Sequence, residues 1–314
     1  MAVYFNSEIN KRSSNEDSFC NIEFRINHEA SVHVMAVADG MGGLSGGRFY
    51  SRAAIRILNE KLLGLIMGEE FLGSSLPEQT ELLEDFCSGI FQRINQELYT
   101  KGLNAGIKGG TTLTVALLFW HTIIIANCGD SPVYLRKGSR FALASEIQNA
   151  AWQMVKQGRT EEGSLLFYQN KTRLLQYLGR REPVSPHTRV MEDRDMDFLL
   201  LGTDGAFGNL SAGQIRDLIE ANHSRERFLA ELFGAARSGG EEDNQTAILF
   251  TPDPGKKASH TRERQINYPD IETIPVSPGQ GDSAVPGQYR RVSSGLGFLR
   301  NRIRGFKDTG GRRL

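Results

Sequence analysis

Apolar positions along this chain change period several times, and each change marks an element. Val32, Val34, Ala36 and Ala38 alternate with His33, Met35 and Val37, the period-two pattern of a strand that ends at Asp39 and runs into Gly40-Met41-Gly42-Gly43. From Arg48 the period lengthens. Ala53, Ala54, Ile57, Leu58, Leu62, Leu63 and Ile66 recur at three-to-four spacing and predict a helix over 48–66. A looser stretch, 68–79, leads to a second helix over 82–98 carrying Leu82, Leu83, Phe86, Ile90, Phe91, Ile94 and Leu98. The centre of the chain predicts strands over 109–118, 123–127 and 133–136, the first opened by Gly109-Gly110-Thr111-Thr112 and the last preceded by Cys128-Gly129-Asp130-Ser131-Pro132. A mixed excursion over 145–181, with a helix near 150–157, is long enough to form a surface flap. The strand over 198–202 enters Thr203-Asp204-Gly205. Helices near 211–221, with Ser211 at the N-cap position, and 224–237 follow, and Glu241-Glu242-Asp243-Asn244 precedes a last strand over 245–250.

After Pro252 the periodicity stops. Pro, Gly, Ser and charges dominate up to Arg291, the composition of a segment that cannot bury enough surface to stay folded. The expected organisation is therefore a folded domain over 1–252, a flexible linker over 253–291 and a basic tail over 292–314. In that tail Leu296, Leu299, Ile303 and Phe306 share one helical face among Arg300, Arg302, Arg304 and Lys307. The formal charge of zero hides this division: residues 255–314 carry 12 Lys/Arg against 5 Asp/Glu, and residues 1–254 carry 25 against 32. With 314 residues, 39% of them hydrophobic, the chain supports one sizeable domain with extensions. Its longest apolar run, 113–126, is broken by His121 and Thr122 and is too short to span a bilayer. The N-terminus has no secretory pattern. Three widely spaced cysteines, Cys20, Cys87 and Cys128, form no metal-type pairing and fit buried thiols in a reducing, cytoplasmic setting.

The chemical signal is recurrence. Asp39, Asp130, Asp204 and Asp243 each stand next to a strand, and three of them touch a glycine. Singly, Asp-Gly is a common turn. Gly40-x-Gly42 has Ser45 at the next dinucleotide-fingerprint position, and no Gly-Lys-Ser/Thr follows, so a nucleotide cradle is not expected. If the strands are sheet neighbours, the four carboxylates converge at one rim, where they repel strongly unless cations lie between them. With no His/Cys ligand set, Mn²⁺ or Mg²⁺ fits better than zinc, and the glycine turn leaves the Gly40 carbonyl open to an ion. Two such ions roughly 3.5–4 Å apart can activate water and clamp a displacement at phosphorus. Upstream, Arg12 precedes Glu16 and Asp17 by four and five positions, suited to gripping phosphate oxygens. On a strand, Glu16 and Asp17 would point to opposite faces, so one reaches the site and the other supports it.

The ordered set Arg12…Glu16-Asp17, Asp39-Gly40-Met41-Gly42-Gly43, Gly110-Thr111-Thr112, Gly129-Asp130-Ser131, Thr203-Asp204-Gly205 and Asp243-Asn244 resembles the PPM (type 2C) family of metal-dependent Ser/Thr protein phosphatases over roughly residues 5–252. The resemblance implies an α+β fold, a four-layer αββα sandwich with two central antiparallel sheets. It implies two Mn²⁺ or Mg²⁺ ions and a weaker third: Asp39 bridging two ions, the Gly40 carbonyl on one, Asp204 and Asp243 on the other, and Asp130 helping to bind the third. Glu16 and Asp17 would orient the attacking water and Arg12 would hold the phosphate. The implied substrate is a phosphorylated protein, and the implied partner a cognate Ser/Thr kinase; no nucleic-acid partner is expected. Met41 stands where many eukaryotic members carry histidine, which resembles the bacterial branch, and Glu146-Ile147 replaces the usual Asp-His pair. Two other readings stay open: a non-catalytic phosphoprotein-binding scaffold of the same fold, and hydrolysis of small phosphomonoesters. For the tail three remain: a solvated extension, an anchor on an acidic partner or membrane surface, and a pseudo-substrate. Arg290-Arg291-Val292-Ser293-Ser294 is in addition a weak kinase-target motif.

Overall fold

The computed structural model describes residues 1–252 apart from Glu29, 43–45, 193–195 and His223. The linker and basic tail expected over 253–314, and Gly43 of the glycine turn, lie outside the described residues. In chain order the elements are β1 (Ala2–Glu8), β2 (Ser18–Arg25), β3 (Ser31–Ala38), β4 (Gly40–Met41), α1 (Gly46–Ile66), α2 (Glu69–Gly73), α3 (Leu76–Ala105), β5 (Gly110–Thr111), β6 (Leu113–Phe119), β7 (Thr122–Cys128), β8 (Val133–Lys137), β9 (Arg140–Leu143), α4 (Ala150–Lys156), α5 (Leu165–Asn170), β10 (His187–Glu192), β11 (Met196–Gly202), α6 (Asp204–Phe207), α7 (Ala212–Ala221), α8 (Arg225–Ser238) and β12 (Gln245–Thr251).

The strands form two five-stranded antiparallel sheets, ordered β1-β12-β11-β8-β9 and β10-β7-β6-β3-β2, with β4 and β5 paired as a small ribbon. Strand alternation sorts the core into layers. Val32, Val34, Ala36 and Ala38 of β3 bury with Ile57, Leu58 and Leu62 of α1 and Phe91, Ile94 and Leu98 of α3. Met35 and Val37 face the other way, packing with Leu199 and Leu201 of β11 and Ile248 of β12 between the sheets. On the far side Phe198, Leu200, Ala247 and Leu249 bury with Phe228, Leu232 and Phe233 of α8. The result is the expected αββα order, with every apolar face of both sheets covered. Among the described residues no helix is long and apolar enough to cross a membrane.

Several elements differ from the periodicity reading. α3 starts at Leu76 rather than residue 82 because Ser75 and Glu78 form a capping box, with the Ser75 amide donating to Glu78 Oε2 at 2.7 Å, and it runs to a left-handed cap at Gly106 (φ 65°). The short helix α2 also falls in the stretch read as loose. β1, β9 and β10 had no clear alternation to announce them. β1 and β9 are the outer strands of one sheet and β10 of the other, most of their residues are only half-buried, and such strands need no strong apolar face.

The inter-sheet layer should dominate stability. Leu199 is fully buried there, whereas Leu103 on α3 is 69% exposed. Leu199→Ala should cost about 2–5 kcal/mol in urea unfolding, and Leu103→Ala within about 0.5 kcal/mol. Equal costs would contradict this layer assignment.

Candidate active site

One end of the sandwich gathers most of the polar residues picked out from the sequence. Arg12, Glu16, Asp39, Gly40, Asp130, Asp204 and Asp243 line a single cavity of about 440 Å³, together with Thr172 and Leu174 from the excursion after β9. Asp17 is not in that lining. Residues 15–17 precede β2 rather than belonging to it, yet Glu16 and Asp17 do face different ways: Glu16 faces the cavity, and Asp17 is buried behind it, accepting a hydrogen bond from Thr203 Oγ1 at 2.9 Å.

Each carboxylate is fixed through its main chain. Asp39 follows β3, and its carbonyl accepts from the Thr112 amide (2.9 Å) and the Thr111 hydroxyl (2.8 Å), while its amide donates to Thr112 Oγ1 (3.0 Å). Thr112 Oγ1 shares a hydrogen bond with Ser131 Oγ at 2.9 Å, so the Gly110-Thr111-Thr112 and Gly129-Asp130-Ser131 motifs interlock beneath Asp39. Gly40 and Gly47 are required by close approach. A Cβ on Gly40 would collide with the Gly47 carbonyl, and one on Gly47 would meet Glu16 Oε2 at 2.6 Å. Asp204 opens α6. Thr203, at the N-cap, makes no side-chain cap bond; its hydroxyl binds Asp17 and accepts from the Thr246 amide (3.1 Å) instead. Asn244 ties down the Arg12–Glu16 loop, donating to the carbonyls of Ile9 (2.9 Å) and Ser14 (3.0 Å) and accepting from the Glu16 amide (2.8 Å).

Like charges this close carry an electrostatic cost. Burial, and then the charges of Asp204, Asp17, Asp130 and Asp243, hold the Asp39 carboxyl well above the ordinary carboxylate range. Burial is also the main reason Asp17 is pushed up to about 7; hydrogen bonds from Thr246 and Thr203 draw it back, and Asp204 and Asp243 push it further. Asp130 rises to about 7 through burial and the Asp204 charge, opposed by its hydrogen bond from Asn149 Nδ2 (3.3 Å) and by Lys171. Asp243 is relieved differently. Its Oδ2 pairs with Arg12 at 2.7 Å, and its Oδ1 accepts from the Asn244 amide at 2.8 Å.

The donors are all oxygen, the chemistry of a hard cation. As they stand, no three His, Cys, Asp or Glu side chains among the described residues form a ready shell for one ion. Mg²⁺-like ions do not need one, because they keep several waters and take only one or two carboxylates each. The residue set therefore fits such an ion.

The excursion over 145–181 is docked onto this end. Asn149 caps α4 through the Trp152 amide (3.1 Å) while reaching Asp130, and Leu178 pairs with Thr111. Lys171 Nζ donates to the Gly208 carbonyl and to Asn209 Oδ1 (3.1 Å) beside α6. Glu146 and Ile147 occupy the positions read as departures. The main chain of Glu146 is held by Asn127 at both its amide (3.2 Å) and its carbonyl (2.6 Å), so the flap root is secured without an Asp-His pair. The supporting Thr203, Asn244, Asn149 and Lys171 carried no signal of their own in the sequence, although Thr203 and Asn244 adjoin singled-out aspartates.

Known proteins resemble this chain. The chain is 24% identical over 250 residues to a putative protein phosphatase 2C-type of Streptococcus pyogenes, covering 79% of this chain and 96% of that one. It is 27% identical over 230 residues to the serine/threonine phosphatase stp of Listeria monocytogenes, covering 71% and 86%. The crystal structure of serine/threonine phosphatase Stp1 from Staphylococcus aureus superposes with a TM-score of 0.69 at 23% identity, covering 81% of this chain and 96% of that chain, so the fold is the same. The family model described as protein phosphatase 2C matches residues 6–249, and the chain thus belongs to that family of metal-dependent serine/threonine protein phosphatases.

Proposed function

We propose that this protein hydrolyses phosphoserine and phosphothreonine on protein substrates by direct attack of an activated water, opposing a Ser/Thr kinase in a reducing, cytoplasmic compartment. The observation that carries the reading is the convergence of Asp39, Asp130, Asp204, Asp243 and Glu16 with Arg12 on one cavity. The three cysteines are free and buried, in keeping with a reducing setting.

Bound Mn²⁺ or Mg²⁺ would supply a water acidified enough to attack phosphorus and positive charge to offset that of the phosphoryl group. Asp39, the Gly40 carbonyl, Asp204 and Asp243 would hold two ions, and Asp130, steadied by Asn149, a third and weaker one. Glu16 faces the cavity and orients the attacking water. Asp17 acts from behind, through Thr203, by fixing the main chain that presents Asp204. Arg12, 58% exposed in its side chain at the cavity mouth, grips the phosphate oxygens. Met41 offers no proton, so the leaving alkoxide takes one from solvent. No side chain serves as nucleophile, and no phospho-enzyme forms.

The decisive experiment is phosphate release from a phosphothreonine peptide with Mn²⁺, with Mg²⁺ and with chelator. Wild type should turn over only with metal. Asp204→Asn should lose more than about 100-fold in kcat/KM, beyond the upper end for an outer partner of a metal site, while keeping its circular dichroism spectrum. Wild-type turnover in Asp204→Asn would remove the assignment.

A second prediction follows from the Asp17 and Asp130 carboxyls, pushed up to about 7, beside an Asp39 carboxyl held well above the ordinary carboxylate range. In metal-free protein at pH 6 Asp17 and Asp130 largely retain protons, and cations bind the ionised form. Mn²⁺ binding at pH 6 should therefore release protons, and apparent affinity should rise toward pH 8, where Asp17 and Asp130 are mostly ionised already. Calorimetry in two buffers of different ionisation enthalpy reads this directly. Identical heats in both buffers at pH 6 would refute it.

A further inference from the structure

A second cavity lies apart from the one holding the carboxylates. It is a groove of about 750 Å³ between α1 and the edge strand β2. Its wall is a row of arginines, Arg48, Arg52 and Arg56, spaced four apart and so stacked along one face of α1. Phe24, Ile22 and the 45%-exposed Leu63 give it an apolar floor. Arg48 Nε donates to the Asn15 carbonyl (3.0 Å), at the end nearest the active site. Arg52 is exposed and has no ion-pair partner among the described residues. Arg56 faces Glu60 only at 3.6 Å, both side chains more than 60% exposed, an arrangement of little energetic consequence.

This basic row lies on a body in which acidic residues outnumber basic ones, 32 to 25 over residues 1–254. Its position is also specific. Ser14 and Glu16 line the carboxylate cavity, while Asn15 and Asp17, from the same segment, line the groove, so a single stretch of chain separates the two. β2 pairs only with β3, and its other edge has no strand partner among the described residues, which suits an extended occupant adding alongside it.

We propose that the groove docks an extended acidic segment of the phosphoprotein substrate, flanking the phosphoresidue held in the active site. The identity of that segment as substrate rests on the phosphatase reading; the groove's preference for acidic chain does not. Charge selects the occupant, since the chain's own residues 255–314, with 12 Lys/Arg against 5 Asp/Glu, would be repelled by the arginine row. From Arg48 to Leu63 the helix rises about 22 Å, which about seven extended residues would span.

The test uses a fluorescein-labelled, unphosphorylated peptide of about ten residues alternating Glu with Leu, and a matched peptide with Gln for Glu. By anisotropy the full-length protein should bind the Glu peptide at least about fivefold more tightly, with the preference fading at high salt. Arg52→Gln/Arg56→Gln should abolish the preference, and Arg52→Lys/Arg56→Lys should restore most of it. In phosphothreonine peptides with the same flanks, the Glu flank should lower KM with kcat unchanged in wild type but not in the Gln variant. p-Nitrophenyl phosphate turnover should be equal in both, showing an intact active site. Equal binding of Glu and Gln peptides, wild-type affinity in the Gln variant, or a dimer in sedimentation that excludes the Glu peptide would each overturn the proposal. If no phosphopeptide is hydrolysed at all, the phosphatase reading fails, and the anisotropy result still decides the groove.

Discussion

The structure is organised around holding like charges together. Asp17, Asp39, Asp130, Asp204 and Asp243 repel one another where burial makes that repulsion costly, and burial raises Asp17 and Asp130 to about 7 and Asp39 well above the ordinary carboxylate range. A loop could relax by swinging its carboxylate into solvent. Here Asp39 leaves β3 in one sheet, and Asp204 and Asp243 adjoin β11 and β12 in the other. The spacing between the two groups is thus set by the layer in which Met35 and Val37 meet Leu199, Leu201 and Ile248. Dense apolar packing of this kind resists compression and expansion alike, so the core acts as the clamp that keeps the charges in reach of one another.

Around that clamp the nearby polar groups serve backbone rather than bulk. Thr111, Thr112 and Ser131 fasten the main chain at Asp39, and Asn244 fastens the loop carrying Arg12 and Glu16. Thr203 gives up its ordinary capping role to bind Asp17. Each is a small uncharged side chain, which fixes geometry without adding charge to a site that already has an excess. Arg12 provides a direct neutralisation at the cavity through its ion pair with Asp243.

Much of this was legible in the sequence because two signals are strictly local. Strand alternation around Val32–Ala38 assigned each residue to the correct layer, and the repeated Asp-Gly after a strand located the rim. What could not be read depends on partners far along the chain. Thr203 touches Asp17 across 186 positions, and Asn244 reaches Ser14 across 230; nothing in their own neighbourhoods signals that. β1 and β10 are half-buried edges in which mixed side chains are tolerated, so they had no periodicity to reveal. Apolar spacing alone places the start of α3 too late, whereas the Ser75-x-x-Glu78 cap marks the true first turn.

The segment from Arg12 to Asp17 draws these threads together. It has no regular secondary structure, yet it forms the wall between the carboxylate cavity and the arginine groove, with Ser14 and Glu16 on one side and Asn15 and Asp17 on the other. Its rigidity is borrowed. Asn244 holds it from just before β12, Ser51 of α1 donates to the Glu16 carbonyl, Arg48 of α1 donates to the Asn15 carbonyl, and Asn15 Nδ2 reaches Ser7 of β1 (2.9 Å). Three separate parts of the fold thus fix one short loop from different directions. A chain lying in the groove would press on residues whose neighbours, one position away, face the site of chemistry. Contacts made by a substrate far from its phosphate would in this way add to its binding without disturbing Arg12 and Glu16, with no moving part other than the substrate itself.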